Sequence, residues 1–172
     1  CAVHCTRRAL KGFWEMVKTN AMRLLAQAGI EYELIEYEVD EENLAGVHVA
    51  EQTGLPVEVV FKTLVARGEK CGFLVFCIPV AEELDLKKAA QVVGDKKIEL
   101  VHVKELLALT GYIRGGCSPV GMKKKFPTYF DETIILFDKI AVSAGVRGAQ
   151  VFLDGGALVS YLGAQCADLT VR

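Results

Sequence analysis

The sequence predicts a single mixed α/β (α+β) domain in which a strongly curved mixed sheet is flanked by helices. Four observations carry that prediction. The chain has 172 residues, enough for one domain and too few for two. Hydrophobic residues make up 52% and charged residues 24%, which excludes a disordered chain. The apolar residues are dispersed: the longest run, Phe73 to Ala81, is nine residues with Pro79 inside it, far short of the roughly 20 a spanning helix needs. Finally, helical and strand-like segments mix without strict alternation or a fixed repeat, which argues against a doubly wound parallel sheet.

Residues 1–15 stand apart. They hold the only Trp (Trp14) and two of the six Cys, and Arg7, Arg8 and Lys11 are not followed by an apolar signal core. They read as a non-functional extension, with the domain spanning 16–172. Thr19 or Asn20 then caps a helix whose stripe is Met22, Leu25, Leu24 and Ala28, ended by Gly29. Ile30 to Val39 alternates apolar and acidic residues with a phase shift near Leu34-Ile35, a strand with one wet face. A short helix covers Val47 to Gln52 before Gly54. Val59–Ala66 is a buried strand, and Phe73–Val80 returns after a turn. Asp85 caps a helix through Val93, closed by Gly94. A strand at Ile98–Val101, a helix at Lys104–Leu109 and a long irregular stretch from Tyr112 to Pro127 follow. Strands are predicted at Thr133–Phe137, Ile140–Ser143 and Gln150–Leu153, then a helix to Leu162 and a last strand near Ala167–Val171.

The net charge of −2 hides a segregation. Seven of the 22 acidic residues lie between Glu31 and Glu42, with no Lys or Arg among them. The remaining 15 face 20 basic residues, including the pairs Lys87-Lys88 and Lys96-Lys97 and the triplet Lys123-Lys124-Lys125. Such runs are commonly solvated faces, and they also suit weak binding of anions. The cysteine spacing matches no disulfide framework, and Cys1, His4 and Cys5 lack a second ligand pair, so no metal or cofactor is indicated. Free thiols point to a reducing cytosol.

The chemistry-bearing residues are few. There is no Gly-x-Ser-x-Gly, P-loop, dinucleotide fingerprint or His-Glu-x-x-His, and only three Ser and three His are present. Three segments stand out. Lys62 interrupts the apolar strand Val59-Val60-Phe61-Lys62-Thr63-Leu64-Val65-Ala66. It reads either as an edge lysine whose stem covers apolar surface or as a cation aimed into a pocket. The loop Thr110-Gly111-Tyr112-Ile113-Arg114-Gly115-Gly116-Cys117-Ser118-Pro119-Val120-Gly121 has two adjacent glycines that let backbone approach a ligand. The turn Val142-Ser143-Ala144-Gly145-Val146-Arg147-Gly148 carries one Arg.

Together, in this order and spacing, the Phe-Lys-Thr-Leu strand, the Gly-Tyr-x-x-Gly-Gly-x-Ser-Pro-x-Gly loop and the Ser-x-Gly-x-Arg-Gly turn resemble the YbaK/EbsC family. Its members are relatives of the editing domain inserted in bacterial prolyl-tRNA synthetases. The resemblance runs from about Val17 to near the C-terminus and is nearest to the Cys-tRNA(Pro) deacylase group. It implies a barrel-like sheet and a cytoplasmic trans-editing hydrolase acting on tRNA(Pro) mischarged with cysteine, with prolyl-tRNA synthetase as a possible partner and no membrane. Carried over by position, Lys62 is the central lysine, fixing the terminal nucleotide or the ester carbonyl, with Thr63 beside it. Tyr37 borders the aminoacyl pocket, and Gly115 and Gly116 bring backbone to the scissile ester. Ser118, Ser143 and Arg147 are substrate-binding residues. Lys87, Lys88, Lys123, Lys124 and Lys125 are tRNA-binding residues. Ala144, where a second glycine is frequent, is expected to change the pocket's width.

This assignment accounts for the lack of nucleophiles. An aminoacyl ester is already activated, and a cysteinyl group carries its own thiol to attack its own ester. Three readings compete with it: a deacylase for an alanyl or seryl tRNA, a catalytically silent tRNA- or synthetase-binding module, and a redox protein using Cys71, Cys77 or Cys117. The last predicts a low-pKa thiol.

Overall fold

The computed structural model describes residues 18–171; the predicted extension at 1–15 and the Cys1, His4, Cys5 group lie outside them. Eight strands and five helices follow in the order α1 (Asn20–Gln27), β1 (Tyr32–Glu36), α2 (Gly46–Thr53), β2 (Phe61–Gly68), β3 (Gly72–Pro79), α3 (Leu86–Val93), β4 (Ile98–Leu100), α4 (Val103–Thr110), β5 (Thr128–Asp131), β6 (Lys139–Ser143), β7 (Ala149–Asp154), α5 (Gly155–Leu162) and β8 (Gln165–Ala167).

The helix ends follow from their caps. Thr19 accepts a hydrogen bond from the Met22 amide, and Asp85 accepts from the amides of Lys87 and Lys88, each cap contributing about 1 kcal/mol. Gly54, Gly94 and Gly111 close α2, α3 and α4 in the left-handed conformation. The strand expected over Ile30–Val39 shortens to Tyr32–Glu36. Its phase places Ile35 inward and leaves Leu34 outside, while all seven acids are exposed.

Two expectations fail. The segment Thr133–Phe137 is not a strand: Glu132–Leu136 forms a 3-10 turn, and the strand precedes it as β5. The Asp131 carboxylate captures the Thr133 amide at 3.2 Å, and that local bond outcompetes a run of β-forming residues. Likewise, β8 lies at Gln165–Ala167, before the expected Ala167–Val171; Thr170 makes only an isolated bridge to Leu84.

The strongly curved, barrel-like sheet is also corrected. The strands form two open sheets, β1-β7-β6 and β4-β2-β3-β5-β8, neither of them closed. The first is antiparallel; in the second, β5 pairs in parallel with β3 and β8. A bridge from Val60 to Ala141 joins the two. A 3-10 turn at Val57–Val59 spends the amides of Val59 and Val60 on the carbonyls of Pro56 and Val57, so the pairing does not extend into the residues before the bridge.

The core sits in layers. Phe61 and Val65 of β2, Val75 and Cys77 of β3 and Phe130 of β5 pack against Ile140, Val142, Val151 and Leu153 of the three-stranded sheet, with α1 and α5 closing the sides. On the other face, Ala66, Leu74, Phe76 and Ile78 meet Ala89 and Ala90 of α3 and the C-terminal Leu169. Asp131 fastens that terminus. Fully buried, it accepts from Thr133 Oγ1 at 2.7 Å and from the Leu169 amide at 3.0 Å, besides the Thr133 amide. Replacing Asp131 by Ala orphans these donors, and urea denaturation is expected to show a loss of about 3 kcal/mol. Thr133→Val, which removes one hydroxyl, should lose only about 1 kcal/mol.

Candidate active site

The seam between the sheets opens into a cleft of about 470 Å³. β4 pairs with β2 only at Ala66–Gly68, so the stretch Phe61–Leu64 presents its edge to the cleft. β2 supplies Phe61 to Val65 and β6 supplies Ser143. Gln150 comes from β7, and α2 with the preceding loop brings Leu44 to Val47. The loop after α4 brings Arg114, Gly115 and Cys117.

Lys62 is the central polar group. Its side chain is half-buried, and its ammonium donates to the Val80 carbonyl at 3.4 Å. Burial lowers its pKa from the ordinary 10.5, while Glu83 and Glu82 partly oppose that shift. The pocket-facing reading of Lys62 therefore describes its place, although its strand edge is also open. Thr63 lies beside it with Oγ1 3.7 Å from Cys77 Sγ, and Tyr37 also lines the cleft.

The loop from Tyr112 to Gly121 is held in place by side chains. Tyr112 Oη donates to the Val120 carbonyl at 2.5 Å, and Arg147 Nε donates to the Arg114 carbonyl at 2.8 Å. Gly115 has φ +84°, open to glycine and strained for other residues. At Gly116 a Cβ would lie 3.1 Å from the Arg147 nitrogen and the Val146 carbonyl carbon, so the loop and the turn after β6 touch backbone to backbone. Burial, with Cys117 nearby, pushes the Tyr112 phenol up to about 12.

The structure thus brings Tyr37, Lys62, Thr63, Gly115 and Ser143 to one cleft. Arg147 faces a small adjoining hollow shared with Tyr37 and Gly115. Gly116 and Ser118 do not line the cleft. The Gly116 amide donates to the Ile113 carbonyl, and Ser118, fully buried, accepts from the Val120 amide at 3.2 Å. Ala144 is fully buried in the core, its carbonyl accepting from Thr19 at 2.6 Å, so it does not set the cleft's width. Lys88 reaches away to Asp168 at 3.0 Å and the Thr170 carbonyl at 2.8 Å. Lys87, Lys123, Lys124 and Lys125 are exposed. Sequence reasoning missed Arg114 and Gln150 as lining residues and gave Cys117 only to the redox reading. Gln150 carried the same signal as Lys62: one polar side chain at the head of an apolar strand, Gln150-Val151-Phe152-Leu153.

No thiol among the described residues is primed for attack. Burial pushes Cys77 and Cys117 up to about 12, and Cys71 and Cys166 are raised as well. This is opposite to what the redox reading requires. No group of His, Cys, Asp and Glu among the described residues is arranged to hold a metal, and no described helix is long and apolar enough to cross a membrane.

Residues 42–161 match the aminoacyl-tRNA editing domain. The chain belongs to that family. It is 48% identical over 155 residues to EbsC of Enterococcus faecalis, described as a candidate Cys-tRNA(Pro)/Cys-tRNA(Cys) deacylase, covering 90% of this chain and 94% of that one. It is 32% identical over 113 residues (66% of this chain) to a stretch making up 18% of the proline–tRNA ligase of Thermosipho africanus. Among solved structures it is similar to a candidate trans-editing enzyme for prolyl-tRNA synthetase, with a TM-score of 0.78 and 28% identity over 91% of this chain and 99% of that one. The YbaK/EbsC resemblance read from the three motifs is therefore correct.

A buried ammonium lowers stability wherever the unfolded chain binds the proton more tightly. With the folded pKa of Lys62 below 10.5, that cost is fully present at neutral pH and vanishes as pH rises through the interval up to 10.5. Lys62→Met is therefore expected to melt above wild type at pH 7. The gap should narrow as thermal melts are repeated at rising pH.

Proposed function

We propose that this chain is a trans-acting deacylase that hydrolyses the aminoacyl ester of Cys-tRNA(Pro). One observation carries the reading: the cleft offers a half-buried cation and backbone edges but no activated nucleophile. Its thiol is held protonated, its Ser143 hydroxyl is engaged by the Gly145 amide at 3.1 Å, and no His lines it. Such a site suits a substrate that carries its own nucleophile. The kinship with EbsC supports the same substrate.

In the proposed reaction the cysteinyl thiol gives up its proton and its sulfur attacks its own ester carbonyl. The C–S bond forms, the C–O bond to the terminal ribose breaks, and the ribose oxygen takes a proton. Water then opens the cyclic thioester to free cysteine. Lys62 fixes the terminal nucleotide or the ester carbonyl, where a desolvated cation acts more strongly than in water. Gly115 brings the loop backbone against the ester; Gly116 supports that loop, its amide already spent. Thr63, Tyr37, Ser143 and Arg147 shape the walls around the aminoacyl group and the adjoining hollow, while Ser118 stiffens the loop without touching substrate. Selectivity against prolyl and alanyl groups rests on the substrate thiol, because a pocket alone separates small side chains by only about 1–3 kcal/mol.

The tRNA body is held through phosphates. Lys123, Lys124, Lys125 and Lys87 are exposed and available for this. Lys88 is committed to Asp168 and the C-terminal backbone and is withdrawn from the set. Weak, salt-dependent binding of this kind suits a protein that acts alongside prolyl-tRNA synthetase in the cytoplasm.

Purified protein incubated with separately charged tRNAs tests the assignment. Cys-tRNA(Pro) should be deacylated, and Lys62→Ala should lower that turnover by about 100-fold. Ser-tRNA(Pro), isosteric but with a poorer nucleophile, should be cleaved far more slowly; equal rates for the two would sink substrate assistance. Preferential cleavage of Ala-tRNA would move the protein to another editing specificity, and binding without cleavage of any ester would make it a silent module. Reversing Lys123, Lys124 and Lys125 to Glu should flatten the dependence of tRNA affinity on salt by about 0.7–0.9 for each phosphate that is no longer neutralised, read from binding titrations at several salt concentrations.

A further inference from the structure

Gln150 sits in the middle strand of the three-stranded sheet, paired across to Ser143 on β6 and Ile35 on β1. Its neighbours Ala149, Val151 and Leu153 all face the main core. Gln150 points the other way, into the wall of the cleft. It is 6% exposed, and its Oε1 has no hydrogen-bond partner among the described residues. A buried acceptor left unpaired is costly, and native folds keep few of them. A strand this apolar would accept Leu or Met at the same position at no such cost.

The cleft's charges say what would pair with it. Its lining includes the cations Lys62 and Arg114 and no carboxylate. An aminoacyl ester offers carbonyl and ribose oxygens, which those donors and backbone amides can serve. It also carries an α-amine, whose N–H groups need an acceptor. Among the side chains lining the cleft, the Ser143 hydroxyl already accepts from the Gly145 amide and Thr63 Oγ1 lies against Cys77, while Gln150 Oε1 is the buried acceptor that has no partner among the described residues. Beside two cations, an amine with an ordinary pKa of about 8 is favoured in its neutral form, for which a neutral amide is the fitting partner.

We propose that Gln150 is a specificity-determining residue of the cleft, accepting a hydrogen bond from the α-amino group of the substrate's aminoacyl moiety. The proposal rests on the deacylase reading and adds to it a requirement for the amine. It also leaves the substrate's side chain unheld by Gln150 and free to turn toward its own ester.

The test uses two adenosine 3′-amides that cannot be hydrolysed as esters, one bearing a cysteinyl group and the other a 3-mercaptopropionyl group, which lacks only the amine. Binding is measured by calorimetry to wild type, Gln150→Met and Gln150→Glu. Wild type should bind the cysteinyl compound about tenfold more tightly, the scale of one hydrogen bond. Gln150→Met should lose that preference while binding the mercaptopropionyl compound as wild type does, and Gln150→Glu, which keeps an acceptor, should retain it. A wild type indifferent to the amine overturns the proposal without any variant. So does a Gln150→Met protein that keeps the preference, or that weakens for both compounds equally. Hydrolysis of Cys-tRNA(Pro) by the same wild-type preparation separates the two claims. Cleavage with no preference for the amine overturns Gln150's role alone, and preference for the amine with no cleavage overturns the deacylase reading alone.

Discussion

Everything in the cleft depends on two sheets that meet and do not merge. β2 and β6 touch at the Val60–Ala141 bridge, just after the 3-10 turn at Val57–Val59, and then part. Had the ladder continued, Phe61 to Leu64 would have paired along both edges, and no cavity would stand between Lys62 and Ser143. Because the ladder stops, a strand from the middle of the larger sheet presents an open edge, a half-buried ammonium and its own backbone to one confined space. The cost is real: Lys62 is desolvated, with only the Val80 carbonyl and the more distant Glu82 and Glu83 in partial compensation. That cost is spread over a core large enough to carry it, since both faces of the five-stranded sheet are covered.

The loop opposite Lys62 solves a different problem. A 16-residue irregular stretch, Tyr112 to Pro127, would ordinarily be mobile. Here the Tyr112 phenol, the Ser118 hydroxyl and the Arg147 guanidinium each bond a backbone group of the loop. Gly116 lets the turn after β6 pack directly against it. Residues that resemble binding groups in the sequence therefore act as fasteners. Their contribution is preorganisation: a wall held before the substrate arrives need not be ordered during binding.

This division explains what the sequence disclosed. The span of α3 was legible to the residue because Asp85 and Gly94 are local signals with local consequences. The cleft's centre was legible because a single lysine in an apolar strand is conspicuous. The 3-10 turn at Glu132–Leu136 was not, because the β-forming Thr133, Ile134 and Ile135 obscured a hydrogen bond from the Thr133 amide to the Asp131 carboxylate. Ile135 and Leu136 end up exposed. Nor could Gly116, Ser118 and Lys88 be told from site residues, since hydrogen bonds to Ile113, Val120 and Asp168 remove them from the site and have no signature in composition or spacing. Gln150 differs again: it was passed over in the sequence, and only the partnerless Oε1 and the cleft beside it give its polarity in an apolar strand a meaning. The open seam, which replaces the expected barrel, depends on a backbone divergence that no residue pattern encodes.

The same physics bears on selectivity. Apolar walls formed by Leu44, Val47, Val101, Val103 and Leu106 measure size, and size separates cysteinyl from alanyl or prolyl groups weakly. A site that adds its own nucleophile would hydrolyse whatever fits, correct products included. A site that withholds one, with its thiol protonated and its serine engaged, transfers discrimination to the chemistry of the bound group. On the proposed function and the proposed role of Gln150, the protein's task is to hold the ends of the aminoacyl ester, the nucleotide and carbonyl near Lys62 and the amine near Gln150, while leaving the side chain unrestrained. The scarcity of catalytic residues is then a condition of the selectivity, because each added nucleophile would widen the set of esters cleaved.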